Sequence, residues 1–113
     1  MSDDGAPLGS EAGSAAGTGV PEGAISKELL IINKRGLHAR ASAKFVQAVE
    51  RFNAQVWVTR GGETVGGTSI MGLMMLAAGP GTTITVSAKG DDAEAALAAI
   101  TELVESKFNE EGT

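Results

Sequence analysis

The sequence predicts an α+β fold, with one four-stranded, mostly antiparallel sheet covered on one face by three helices in the order βαββαβα. Three observations carry this. Two segments, 53–60 and 82–90, alternate apolar and polar residues with the period of a strand. Three other segments repeat apolar residues with the period of a helix. The two kinds of segment are interleaved, and turn residues separate them.

The elements follow in chain order. Residues 1–24 are dominated by Gly, Ala and Ser, carry Asp3, Asp4, Glu11 and Glu22 without a base, and offer little to bury. They are expected to form a disordered tail ahead of one domain spanning 25–113. Leu29 to Ile32 is a short apolar run before a charged turn, the pattern of a buried strand. From Ala39 to Phe52 the period becomes helical, with Phe45, Val46, Val49 and Phe52 on one face. In "NAQVWVTR" Ala54, Val56 and Val58 alternate with Gln55, Trp57 and Thr59, and Gly61-Gly62 turns this strand into a short partner. "TSIMGLMMLAAGPG" is a second helix, with Ser69, or Thr68 just before it, able to cap its first turn and Gly79-Pro80 to stop it. In "TTITVSAKG" Ile84, Val86 and Ala88 face one way, giving the fourth strand. The last helix starts with a capping-box-like pair, Asp91 and Glu94, and buries Ala93, Ala96, Leu97, Ile100, Leu103, Val104 and Phe108.

Composition narrows the function. The 113 residues suffice for one small domain, and the absence of cysteine leaves the core to hold it. No run is long and apolar enough to span a membrane, and the acidic N-terminus lacks the apolar core of a signal peptide. The expected location is the cytoplasm. The net charge of -5 hides a separation. Between Lys27 and Arg60 there are seven bases against Glu28 and Glu50, whereas from Gly61 onward there are two bases against eight acids. The basic half suits an acidic protein surface or a phosphate. Its bases are too dispersed for a nucleic-acid footprint.

That half contains the only histidine, in "NKRGLHARASAKF". From position alone His38 could simply cap a helix or lie on the surface. No second His and no Cys accompany it to share a metal ion. A helix starting at Ala39 would, however, leave its first N–H groups, at Ala39 and Arg40, without partners inside the helix. Such a terminus holds anions, and Arg40 adds a positive charge. Lys34, Arg35 and Lys44 are close in sequence. A neutral imidazole there can act as a nucleophile toward phosphorus.

"GLHARASAKFV" resembles the active-site motif of the HPr family, the histidine phosphocarriers of the bacterial phosphotransferase system, and "TSIMGLMMLAAGPG" resembles that family's second motif. The resemblance covers residues 26–108, is nearest to proteobacterial and nitrogen-branch forms, and implies an open-faced β-sandwich. It implies that the chain is a phosphoryl carrier and a substrate of enzyme I, not itself an enzyme. His38 would accept the group at Nδ1, Arg40 would neutralise it, and an EIIA-type protein of a sugar-transport or regulatory branch would remove it. Ser69 matches the serine modified by HPr kinase/phosphorylase. Leu37, Ile70, Met71 and Met74 are expected to dock partners, and the chain to work as a monomer. No metal and no bound cofactor are implied on this chain. Ala41 stands where the family usually has proline. The alternative is an HPr-like regulator that acts through Ser69 phosphorylation and partner binding without transfer.

Overall fold

A computed structural model describes residues 20–110 of the chain. Residues 1–19 of the expected tail lie outside the described residues. Its last residues, 20–24, include a turn in which Ala24 N–H donates to the Pro21 carbonyl, and Lys89 Nζ donates to the carbonyl of Glu22 at 2.8 Å.

The elements are β1 (Ile25–Leu30), α1 (Ala39–Glu50), β2 (Gln55–Arg60), β3 (Glu63–Gly66), α2 (Ile70–Met75), β4 (Thr83–Lys89) and α3 (Ala93–Glu105), followed by a short turn at Lys107–Asn109. The sheet order is β1-β4-β2-β3, and every neighbouring pair is antiparallel. The alternation expected in the sequence sets the two faces. Val56, Val58, Ile84, Val86 and Ala88 point into the core with Leu29. The opposite face carries Trp57 and two hydroxyl pairs, Ser26–Ser87 at 2.7 Å and Thr59–Thr64 at 2.9 Å. Cross-strand pairs of this kind give a sheet its register.

The helices close the inner face. Phe45, Leu73, Ile100, Val104 and Phe108 are fully buried there. Burying such side chains is the main favourable term in a chain without cysteine, and truncating a buried Phe typically costs about 3–5 kcal/mol.

Four expectations need correction. The first strand is not wholly buried. It lies at the sheet edge, and Leu29 and Ile31 point inward while Leu30 and Ile32 are exposed. The first helix ends at Glu50, with Arg51 as its cap and Phe52 only partly buried beside it. The second helix stops at Met75, short of Gly79-Pro80, and Ala77 takes a left-handed φ of 53°. The "LAA" run has high helix propensity, but Ala78 is needed in the core, and tertiary packing wins. Gly79-Pro80-Gly81-Thr82 instead forms a β-turn, with Thr82 N–H donating to the Gly79 carbonyl and Gly81 at φ 87°. Finally, the capping pair does not form. Asp92, not Asp91, is the N-cap of α3, and its side chain makes no cap bond. Both carboxylates turn to Asn53 instead. Asp92 accepts from its backbone N–H at 2.7 Å and Asp91 from its side-chain amide at 3.3 Å.

One close approach fixes the turn between β1 and α1. Gly36 has φ 65°, and a Cβ there would lie 2.2 Å from the Ala78 carbonyl oxygen. The next residue, Leu37, donates its N–H to that same carbonyl at 3.0 Å. Asn33, fully buried, donates from Nδ2 to the Gly36 carbonyl at 2.8 Å. Gly36→Ala combines left-handed strain with a backbone collision. It is expected to cost about 2–5 kcal/mol in urea unfolding, whereas Gly79→Ala, which meets nothing within 4 Å, should be close to neutral.

Candidate functional site

The Gly36 turn delivers His38 to the start of α1, where it is the N-cap with extended backbone. Its N–H donates to the Gly36 carbonyl at 2.9 Å, and its carbonyl accepts the helical bond from Ser42 at 2.8 Å. Ser42 Oγ, fully buried, donates to the Leu37 carbonyl at 3.2 Å and braces the turn from below. The imidazole makes no cap bond to the helix. The amides of the first turn, at Ala39, Arg40 and Ala41, therefore lack both an intrahelical acceptor and a side-chain cap. Ala39 and Arg40 are exposed, and Arg40 stands on that open first turn. The methyl of Ala41 is fully buried.

The ring meets a partner from the far end of the chain. His38 Nε2 lies 2.9 Å from Glu110 Oε2 and 3.1 Å from Oε1. The His38 side chain is 19% exposed and that of Glu110 9%. Sequence reasoning missed this contact. The two residues are 72 positions apart, and Glu110 follows a turn in which Lys107, Phe108 and Asn109 all have left-handed φ of 56–58°. Each such residue costs about 1–2 kcal/mol. Phe108, expected to continue the stripe of the last helix, instead reaches the core from this turn. Its carbonyl accepts from Lys44 Nζ at 2.6 Å. Lys44 is therefore committed to the C-terminal turn, while Lys34 and Arg35 are exposed in the loop before the histidine.

The second motif forms a separate surface. Ser69 is the exposed N-cap of α2, and its Oγ accepts from Gly72 N–H at 3.0 Å. Leu73 and Leu76 point into the core. Ile70, Met71, Met74 and Met75 are exposed, at 40, 69, 39 and 73%. Burial is the usual fate of helical methionines, and the single buried row of this short helix leaves no room for them. Arg60 Nη1 donates to the Leu76 carbonyl at 3.0 Å, satisfying the end of α2. Leu37, expected among the docking residues, is 5% exposed and belongs to the core, because its N–H is tied to Ala78 and its side chain turns inward. Among the described residues there is no cluster of three metal-ligating side chains, and no helix is long and apolar enough to cross a membrane.

Comparison with known proteins gives this geometry a family. Residues 25–106 match the family described as "PTS HPr component phosphorylation site". The chain belongs to the HPr family. It is similar to the phosphocarrier protein HPr of Neisseria meningitidis, with 49% identity over 86 residues that cover 76% of this chain and 97% of the relative. It is also similar to the phosphocarrier protein NPr of Shewanella violacea, with 43% identity covering 76% and 94%. The crystal structure of an HPr from Thermoanaerobacter tengcongensis superposes with a TM-score of 0.74 at 45% identity, covering 77% of this chain and 98% of that one. The chain is thus an HPr-type phosphocarrier of the phosphotransferase system, a carrier and not a catalyst, with the open four-stranded sheet and three helices of HPr.

The Ser69 cap makes a measurable contribution of its own. Ser69→Ala is expected to lower stability by about 1 kcal/mol, and Ser69→Asp, which keeps an acceptor at the N-cap, should retain most of it in the same denaturation measurement.

Proposed function

We propose that His38 is the residue that carries the phosphoryl group. It receives the group from enzyme I, charged by phosphoenolpyruvate, and passes it to an EIIA-type protein of a sugar-transport or regulatory branch. The observation that supports this most is the place of the ring. His38 is the N-cap of a 12-residue helix whose first-turn amides have no intrahelical acceptor and no side-chain cap, with Arg40 on the same turn. The Nδ1 lone pair forms the new bond to phosphorus. The bond between phosphorus and the donor breaks, and its electron pair leaves with the donor. Transfer onward reverses these events. The amides at Ala39 and Arg40 and the Arg40 guanidinium stabilise the added charge at both stages.

The apolar patch of Ile70, Met71 and Met74, extended by Met75, supports docking. Flexible, polarisable methionine adapts to several partners in turn, as a shuttle requires. Ser69 lies at the edge of this patch, and phosphorylation there by an HPr kinase/phosphorylase would set up to two negative charges beside it. That is the basis for a regulatory role of Ser69. The alternative, regulation without transfer, leaves the open helix terminus beside His38 without a purpose.

Intact-mass analysis after incubation with enzyme I and phosphoenolpyruvate tests the reading. Wild type should gain one acid-labile phosphate and His38→Ala none. A folded wild-type protein that gains no phosphate from an active donor would overturn it.

A further inference from the structure

Among the described residues Glu110 is the side chain held against the histidine, and the transfer itself does not use it. Its placement is strongly determined. The three residues before it are all in the left-handed region, which non-glycine residues keep only when their surroundings force it. Phe108 is fully buried, its carbonyl is clamped by Lys44, and Glu110 N–H donates back to the Lys107 carbonyl at 3.2 Å. The result is a largely buried carboxylate with both oxygens within 3.1 Å of Nε2.

The chemistry follows from what each group can do. An ionised carboxylate only accepts hydrogen bonds, so Nε2 must be the nitrogen that donates. In the neutral ring this puts the proton on Nε2 and leaves the lone pair on Nδ1. A carboxylate held against the far nitrogen of an imidazole fixes both the tautomer and the orientation of the ring, and it stabilises positive charge that the ring acquires.

We propose that Glu110 is a positioning residue for phosphoryl transfer at His38, holding Nε2–H so that Nδ1 is the accepting atom, with the Lys44–Phe108 clamp keeping it in place. This rests on the reading that His38 carries the phosphoryl group. When the Nδ1–phosphorus bond forms, the ring becomes positively charged. The proton stays on Nε2, and no proton is released. Glu110 faces the side of the ring opposite the incoming group, so its charge offsets that of the ring without occupying the phosphate site.

The test is nitrogen NMR of the neutral His38 ring, joined to the rate of phosphorylation by enzyme I. Wild type should show one tautomer, with hydrogen on Nε2. Glu110→Ala and the clamp variant Lys44→Met should show a mixture of tautomers and accept phosphate about tenfold to a hundredfold more slowly. Glu110→Gln, whose amide oxygen still accepts, should restore the tautomer but only part of the rate. An unchanged ring spectrum in a folded Glu110→Ala protein would overturn the proposal, as would an unchanged rate. If Glu110→Ala fails to fold, Lys44→Met and Glu110→Gln decide by the same two readings. The spectra need no phosphoryl donor, so failure of His38 to be phosphorylated would be separable from failure of Glu110 to set the tautomer.

Discussion

Everything at the histidine depends on two pieces of backbone coming closer together than a side chain would allow. The turn before α1 lies against the exit of α2, and the Ala78 carbonyl fills the space that a Cβ on residue 36 would need. That contact is at once a packing interaction and a polar one, since the same carbonyl accepts from Leu37. It joins the two motifs of the chain mechanically. The first supplies the imidazole of His38 and the second supplies the apolar patch, and neither can shift without disturbing the other. Asn33 and Ser42 then satisfy the remaining carbonyls of the turn from inside, so that the ring's backbone is held by the domain and not by its own local preferences.

Much of this was legible in the chain, and what was legible shares one property: it is local. Val56 and Val58, or Ile84 and Val86, announce their strand and their face by alternation alone. Ser69 announces a helix start, and the observed cap agrees. The parts that were not legible are decided by distant residues. Nothing near Ala77 says that a good helix former will sit in the left-handed region, since the cause is the demand for Ala78 some forty residues from its partner turn. Asp91 and Glu94 match a capping pattern, but Asn53 on the opposite loop competes for the carboxylates and wins. Phe108 fits the helical stripe in period and reaches the core by another route. The site was half visible. His38 and Arg40 stand together in one short motif, whereas Glu110 could be found only by folding the chain.

The electrostatics of the site also differ from the charge map of the sequence. The separation into a basic and an acidic half suggests a uniformly positive surface around His38. In the fold, Lys44 is spent on a carbonyl, and an acid from the other half is brought directly to the ring. The imidazole therefore has an exposed arginine, Arg40, on the open first turn of its own helix and a carboxylate, Glu110, directly against Nε2.

The helices cover one face of the sheet and leave the other uncovered. Trp57 is on the uncovered one, opposite Gly66 and Ser87 across its neighbours, and it is the only tryptophan in a chain without tyrosine. The protein thus carries a single indole, its one strong intrinsic fluorophore, placed away from the face that the helices cover. Its emission follows the integrity of the strands, and events confined to the exposed methionines of α2 would leave it nearly silent. Folding and docking can be followed separately in the same cuvette, the first by native fluorescence and the second only by an added label.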